Sequence, residues 1–264
     1  MQGSRYGQYE LESFLGGGGQ GDVWLAHDEK MGRKVAIKKL KPEVIDDADV
    51  RRRFDVEAET LIQINEPHVV RVLDRIEIDG MPALVQDYME GGSLADLKKA
   101  ADEPFAIDDI VRWFEQAARG LASIHKRGIV HRDIKPANLF LSQDGNLCIG
   151  DFGLVRSVEK TQTLGLMGTM PYMSPEQIRG GEVDARSDLF SLGVAMYELL
   201  PGERPFGDGL DRIERLPSAR KQRADVPTYV SDTIDSLLER DVDQRIQSAD
   251  ELLRRLQGKG TGLR

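Results

Sequence analysis

Only one of the 264 residues is cysteine. A lone Cys148 cannot close an internal disulfide or build a thiolate metal cluster. It stands in the apolar run Leu147-Cys148-Ile149 and reads as a small buried hydrophobe. No stretch of about 18 apolar residues occurs, so no membrane-spanning helix is expected. Residues 1–8 are polar and contain glycine, which is unlike a secretory signal. Basic residues are also outnumbered: 36 Lys and Arg against 45 Asp and Glu leave a net charge of −9. Phosphate backbones select clustered Lys and Arg, so general nucleic-acid binding is not expected. A locally held phosphate ligand is not excluded. What is present is the balance of an ordinary globular chain, 40% hydrophobic and 31% charged. The length suits one large domain or two packed lobes. No internal repeat or long low-complexity linker is visible.

Alternation and turn residues predict strands over 9–14, 22–27 and 34–40, joined by turns at 16–21 and 29–32. A helix is expected over 47–64, then strands over 69–78 and 82–88. The pattern changes near 89–92. Asp108 can cap a helix reaching about residue 126, with Gly128 as its stop. Short strands follow near 139–141 and 147–149. From Ser187 onward the chain reads as mainly helical, over 188–200, 231–240 and 248–256.

Gly16, Gly18 and Gly21 stand in GxGxxG register within Leu15-Gly16-Gly17-Gly18-Gly19-Gln20-Gly21-Asp22-Val23. Glycine lets backbone amides approach phosphate oxygens closely. Alone, the spacing also fits a dinucleotide-binding fold or a flexible turn. Val23, Trp24 and Leu25 then read as a strand, whereas a dinucleotide fingerprint needs a helix there. No GxxxxGK[ST] occurs, which argues against a P-loop. A strand–loop–strand hairpin over phosphates remains.

Val35-Ala36-Ile37-Lys38 places a lysine on a strand. Most strand lysines face water. The helix that follows has an apolar stripe of Val50, Phe54, Leu61 and Ile64, and the missing step is Glu57. A carboxylate on a core-facing stripe needs a cation, and Lys38 is the candidate. Arg51, Arg52 and Arg53 on the same helix read as a solvated face.

The most specific stretch is His131-Arg132-Asp133-Ile134-Lys135-Pro136-Ala137-Asn138, followed by Asp151-Phe152-Gly153. Two short strands and a turn at Asp144-Gly145-Asn146 lie between them, and such a hairpin can bring Asn138 and Asp151 together. Phosphoryl transfer depends on positioning and charge neutralisation. Mg²⁺ takes oxygen ligands and few protein groups, which suits Asp151 and the Asn138 amide oxygen. Asp133 can orient a substrate hydroxyl or accept its proton. Lys135 can neutralise the transferring group.

In this order and spacing the sequence resembles the protein kinase family, and within it the bacterial Ser/Thr members. The resemblance runs from residue 9 to about 256. It implies an α+β, bilobal fold: a flexible N-terminus at 1–8, an antiparallel-sheet N-lobe at 9–88, a hinge near 87–91, a mainly helical C-lobe at 92–256, and a tail at 257–264. It implies Mg-ATP as cofactor, with Mn²⁺ as an alternative cation, and protein Ser/Thr hydroxyls as acceptors. By resemblance, residues 16–23 are the glycine-rich loop with Leu15 an ATP contact beside it, Lys38 the strand lysine, Glu57 its helix partner, Asp133 the catalytic aspartate, and Asn138 and Asp151 the metal ligands.

The same resemblance makes the Asp87 carbonyl and the Met89 amide the adenine contacts. Val23, Ala36 and Phe140 would sandwich the base, with Gln86 as a polar gatekeeper. Met173-Ser174-Pro175-Glu176 resembles the APE element, and Glu176 would pair with Arg245. Asp188 resembles the aspartate that braces the catalytic loop. Lys135 and Thr169 point to Ser/Thr specificity. Arg132 implies control by phosphorylation at Thr161 or Thr163, with self-association for autophosphorylation. The family pattern is broken after Pro205-Phe206, where 207–226 leaves room only for a short helix or none. Ala137 stands where some basic-directed members carry Glu. A cytoplasmic location is expected, alone or as the cytosolic part of a membrane-anchored chain. Two rivals remain. A pseudokinase would have lost Lys38, Asp133 or Asp151, and none is lost. A small-molecule phosphotransferase would lack the platform from Gly168-Thr169 to Pro175-Glu176.

Overall fold

The computed structural model describes residues 1–19, 21–45, 48–152, 170–200 and 218–258, without the side chain of Arg53. Gln20, Gly153, Thr161, Thr163, Thr169 and the stretch 201–217 therefore lie outside the described residues. The described chain forms two compact units, Met1–Glu90 and Gly91 onward.

In the first unit, β1 (Arg5–Tyr6), β2 (Tyr9–Gly17), β3 (Gly21–Asp28), β4 (Arg33–Leu40), β5 (Val72–Ile78) and β6 (Met81–Asp87) build one antiparallel sheet. Their order is β1-β2-β3-β4-β6-β5. Side chains alternate across a strand, so the sheet has two distinct faces. Leu11, Ala26, Val35, Ile37, Ala83 and Val85 form a buried core cluster. The intervening residues of β4, Ala36 and Lys38, point the other way. Asp79-Gly80 joins β5 to β6 with positive φ at both positions, the geometry of a type I′ hairpin. Within residues 1–8 lies β1, with Arg5 opposite Glu10 and Tyr6 opposite Tyr9.

Helix α1 (Ala48–Ile62) buries Val50, Phe54, Ala58 and Leu61, a spacing that lines one helical face. Arg75 on β5 pairs with Asp55 on α1 at 2.7 Å. Arg51 also finds a partner, Glu77, at the surface.

The second unit holds α2 (Leu94–Ala100), α3 (Ile107–His125), β7 (Leu139–Leu141), β8 (Leu147–Ile149), α4 (Pro175–Arg179), α5 (Ala185–Leu199), α6 (Ala219–Gln222), α7 (Thr228–Leu237) and α8 (Ala249–Leu256). Every residue of α5 from Ser187 to Leu199 is buried. A helix covered on all sides is the core of its unit; α3 and α7 pack against it. Helix α3 does not start at an Asp108 cap. Ala106 occupies the cap without a side-chain bond, and Asp108 and Asp109 sit in the first turn, where they complement the helix dipole. Asp184 caps α5, and α7 starts three residues before the expected 231. In the shortened region the described residues show one short helix, α6. No described helix is long and apolar enough to cross a membrane.

Candidate active site

The glycine loop is a strand–loop–strand hairpin. Gly16 lies opposite Val23 and Gly17 opposite Asp22. Its glycines serve different ends. A Cβ on Gly21 would sit 2.4 Å from the Lys39 carbonyl oxygen, so β4 forces glycine there. Gly16 and Gly18 would meet nothing within 4 Å. Packing among the described residues does not demand them. Register puts Val23 opposite Lys38 and Leu25 opposite Ala36. Val23, Ala36 and Lys38 therefore share the face opposite the core cluster.

Lys38 is buried on the central strand β4 and lies opposite Leu84 of β6. Glu57 is half-buried on α1, between the fully buried Phe54 and Leu61. It is less covered than its place in the apolar stripe predicts. Leu15 is exposed at the loop. Gln86 pairs with Ala36. Asp87 ends β6, its N–H donating to the Arg71 carbonyl at 3.0 Å. Met89 follows just past the strand.

In the second unit the loop at 131–138 hangs on α5. The buried Asp188 carboxylate accepts the His131 N–H and the Arg132 N–H, each at 2.8 Å. His125 Nε2 lies 2.9 Å from the same carboxylate. Gln177 of α4 donates to the Arg132 carbonyl at 3.1 Å. These bonds hold Arg132 at φ 65, a left-handed conformation that costs a non-glycine residue about 1–2 kcal/mol. Strain of this kind survives only where neighbours over-determine it.

His131 is buried, and its Nδ1 accepts the Asp133 N–H at 3.2 Å. Nε2 therefore carries the proton and donates to the Gly150 carbonyl at 3.1 Å. Burial lowers the His131 pKa despite Asp188 and Asp133 nearby, so the ring stays neutral. It lies 4.8 Å from the Phe152 ring.

Asp133 is buried at the centre of this loop. Its Oδ2 accepts from Lys135 Nζ and from Asn138 Nδ2, both at 3.1 Å. Asn138 Nδ2 also donates to the Asp133 carbonyl at 2.7 Å. The β7–β8 hairpin pairs Leu139 with Ile149, and the Gly150 N–H donates to the Asn138 carbonyl at 3.0 Å. Asp151 follows at φ 57, a second left-handed non-glycine residue. Asp133, Lys135 and Asn138 thus meet at one corner, and Asp151 follows the Gly150–Asn138 backbone bond beside it. Phe140 is half-buried in β7 and bridges to Ser93.

An ion pair between the buried Arg245 and the half-buried Glu176 ties down the segment at 173–176. Arg245 Nη1 and Nη2 reach the two Glu176 carboxylate oxygens at 2.8 and 3.2 Å. Ser187 Oγ donates to Glu176 Oε1 at 2.7 Å. Burial alone would raise the Glu176 pKa, but the Arg245 and Ser187 hydrogen bonds outweigh it and hold it at about 2.

The sequence profile described as "Protein kinase domain" matches residues 9–255. The chain belongs to the protein kinase family. Serine/threonine-protein kinase PknB of Mycolicibacterium smegmatis is 36% identical over 93% of this chain and 42% of its own length. PrkC of Bacillus subtilis is 33% identical over 93% of this chain and 39% of its own. The crystal structure of the Mycobacterium tuberculosis PknI kinase domain superposes with a TM-score of 0.81 at 25% identity, covering 98% of this chain and 99% of that one. The chain therefore has the bilobal kinase fold, and it spans about two fifths of the length of these curated relatives.

A kinase domain uses ATP and a divalent cation, and the corner around Asp133 fits such a cation. Both Asn138 bonds leave through its amide nitrogen, which turns the amide oxygen away from Asp133. With Asp151 that gives an oxygen-only donor set, the type a hard cation takes. Among the described residues no group of three or more His, Cys, Asp or Glu gathers to hold a metal. Sequence reasoning assigned no role to Gln177, His125, Ser187 or the His131 ring. Gln177 was in reach: Ser174-Pro175-Glu176-Gln177 spells a capping box, and the structure contains it. The other three are visible only once distant segments are packed.

Proposed function

We propose that this kinase domain transfers the γ-phosphoryl group of Mg-ATP to Ser or Thr hydroxyls of proteins. The arrangement that carries the reading is the buried Asp133 carboxylate, held by Lys135 and Asn138 on a loop fixed to Asp188. Asp133 orients the acceptor hydroxyl and takes its proton. Lys135 then stays beside the transferring group and offsets its charge. Asn138 and Asp151 would hold the cation, Mg²⁺ in preference to Mn²⁺, and it would supply positive charge against the phosphate groups.

Lys38 binds phosphate oxygens, with Glu57 as its positioning partner. The amides of 16–21 cradle the phosphates. Leu15, Val23 and Ala36, with the backbone of Asp87 and Met89, are the adenine contacts of the first unit, and Phe140 is the contact from the second. These assignments make 9–88 the N-lobe, 87–91 the hinge and 92–256 the C-lobe. Thr169 and Glu176 belong to the acceptor platform. Phosphate on Thr161 or Thr163, added by a second copy of the chain, pairs with Arg132 and orders the segment. The location proposed is cytoplasmic. The names of the relatives support the Ser/Thr acceptor and the protein substrate class.

The test is radiolabelled ATP transfer to a generic protein, with phosphosite mapping. Asp133→Asn should lower kcat by about 10²–10⁴-fold, the range for a lost general base. Transfer at the wild-type rate by Asp133→Asn would overturn the reading. Label on Thr161 or Thr163 is expected in the wild type.

A further inference from the structure

Lys41 is not one of the motif residues, yet its side chain reaches the tip of the glycine loop. It follows β4 directly. Its backbone is fixed by Pro42, and its carbonyl accepts from the Val44 N–H at 3.1 Å in the turn Pro42–Val44. From that anchored stem, Nζ donates to the Gly18 carbonyl at 2.8 Å and lies 3.7 Å from Asp22 Oδ1. The Asp22 carboxylate needs room to be there. A Cβ on Gly17 would sit 2.5 Å from Asp22 Oδ1 and 3.2 Å from the Phe14 ring. Gly17 is outside the GxGxxG register, and a side chain there would have to displace this carboxylate. The other end of Gly18 is also held, its N–H donating to the Gly21 carbonyl at 3.0 Å.

We propose that Lys41 is a positioning residue of the phosphate-binding loop, fixing the orientation of the Gly18–Gly19 peptide. A trans peptide is planar, so its C=O and the next N–H point in opposite directions. Holding the Gly18 oxygen toward Lys41 turns the Gly19 N–H to the other side, where a phosphate oxygen can accept from it. Flanking glycines leave this peptide little steric preference of its own. Turned over, it would present a carbonyl oxygen to an anion. The ion pair with Asp22 is half-exposed and contributes little by itself. The charge-assisted bond to the carbonyl carries the effect, and Asp22 keeps the ammonium beside it. The inference rests on the ATP-binding reading of this loop.

The test uses the same chain with Lys41→Met and Lys41→Arg. Two readouts separate this proposal from the one it rests on. Without nucleotide, amide hydrogen exchange over 16–22 should quicken in Lys41→Met and stay near wild type in Lys41→Arg. With ATP, the KM for ATP should rise about three- to tenfold in Lys41→Met while kcat stays within about twofold. Lys41→Arg should restore KM. Unchanged exchange overturns the latch, whatever the activity. Faster exchange with an unchanged KM, or a loss confined to kcat, overturns the positioning role. A wild-type chain that transfers no phosphate defeats the proposed function, and the exchange arm still judges the latch.

Discussion

Two strained residues frame the corner around Asp133: Arg132 at φ 65 and Asp151 at φ 57. Neither is glycine, so each conformation is imposed from outside. For Arg132 the donors and acceptors are known: Asp188 takes its N–H and Gln177 grips its carbonyl. Gln177→Ala removes one grip and leaves Asp188 intact. We expect kcat to fall about 3- to 30-fold with the KM for ATP unchanged, the cost of one neutral hydrogen bond lost from a preorganised site. Steady-state kinetics with varied ATP checks this, and an unchanged kcat would mean that Asp188 alone suffices. At this scale the sequence was readable where chemistry dictates spacing. Asp133 and Asn138 are five positions apart because both must bond within one short loop. Glu57 was harder. Helical periodicity gives a residue's direction but not what covers it, and Glu57 is half-buried.

Elements were readable where one face meets a core and one does not. The alternation of Val35, Ala36, Ile37 and Lys38 located β4 because only Val35 and Ile37 join the core cluster. Helix ends were less readable, since α3 starts at an uncapped Ala106 and no residue type announces that. Helix α2 escaped notice although Ser93 and Asp96 form a reciprocal capping box. At seven residues it is too short for a 3.6-residue period to show. That box holds the segment leading from Gly92, whose carbonyl accepts from Leu141 of β7 at 2.8 Å. Ser93→Ala should lower stability by about 1 kcal/mol, the usual value of an N-cap. Urea denaturation followed by circular dichroism measures it; a change below a few tenths would show that packing of Leu94, not the cap, sets the helix start.

The molecule as a whole divides into two units, and the larger is held across sequence by Glu176 and Arg245, 69 positions apart. The Glu176 pKa is held at about 2 against an ordinary 4.5. A depressed carboxyl stabilises the fold fully above its unfolded value. That contribution is complete above about pH 4.5 and disappears as pH falls toward 2. Denaturation midpoints of the wild type should therefore drop across that window more steeply than those of Glu176→Gln, which starts lower; parallel curves would show that other carboxylates govern acid unfolding. A chain with one cysteine has no covalent means of closing so long a loop. Here a guanidinium and a carboxylate do what a disulfide does elsewhere, and they do so without a redox state. The staple cannot be reduced or shuffled by thiols, and it opens and recloses with proton activity alone.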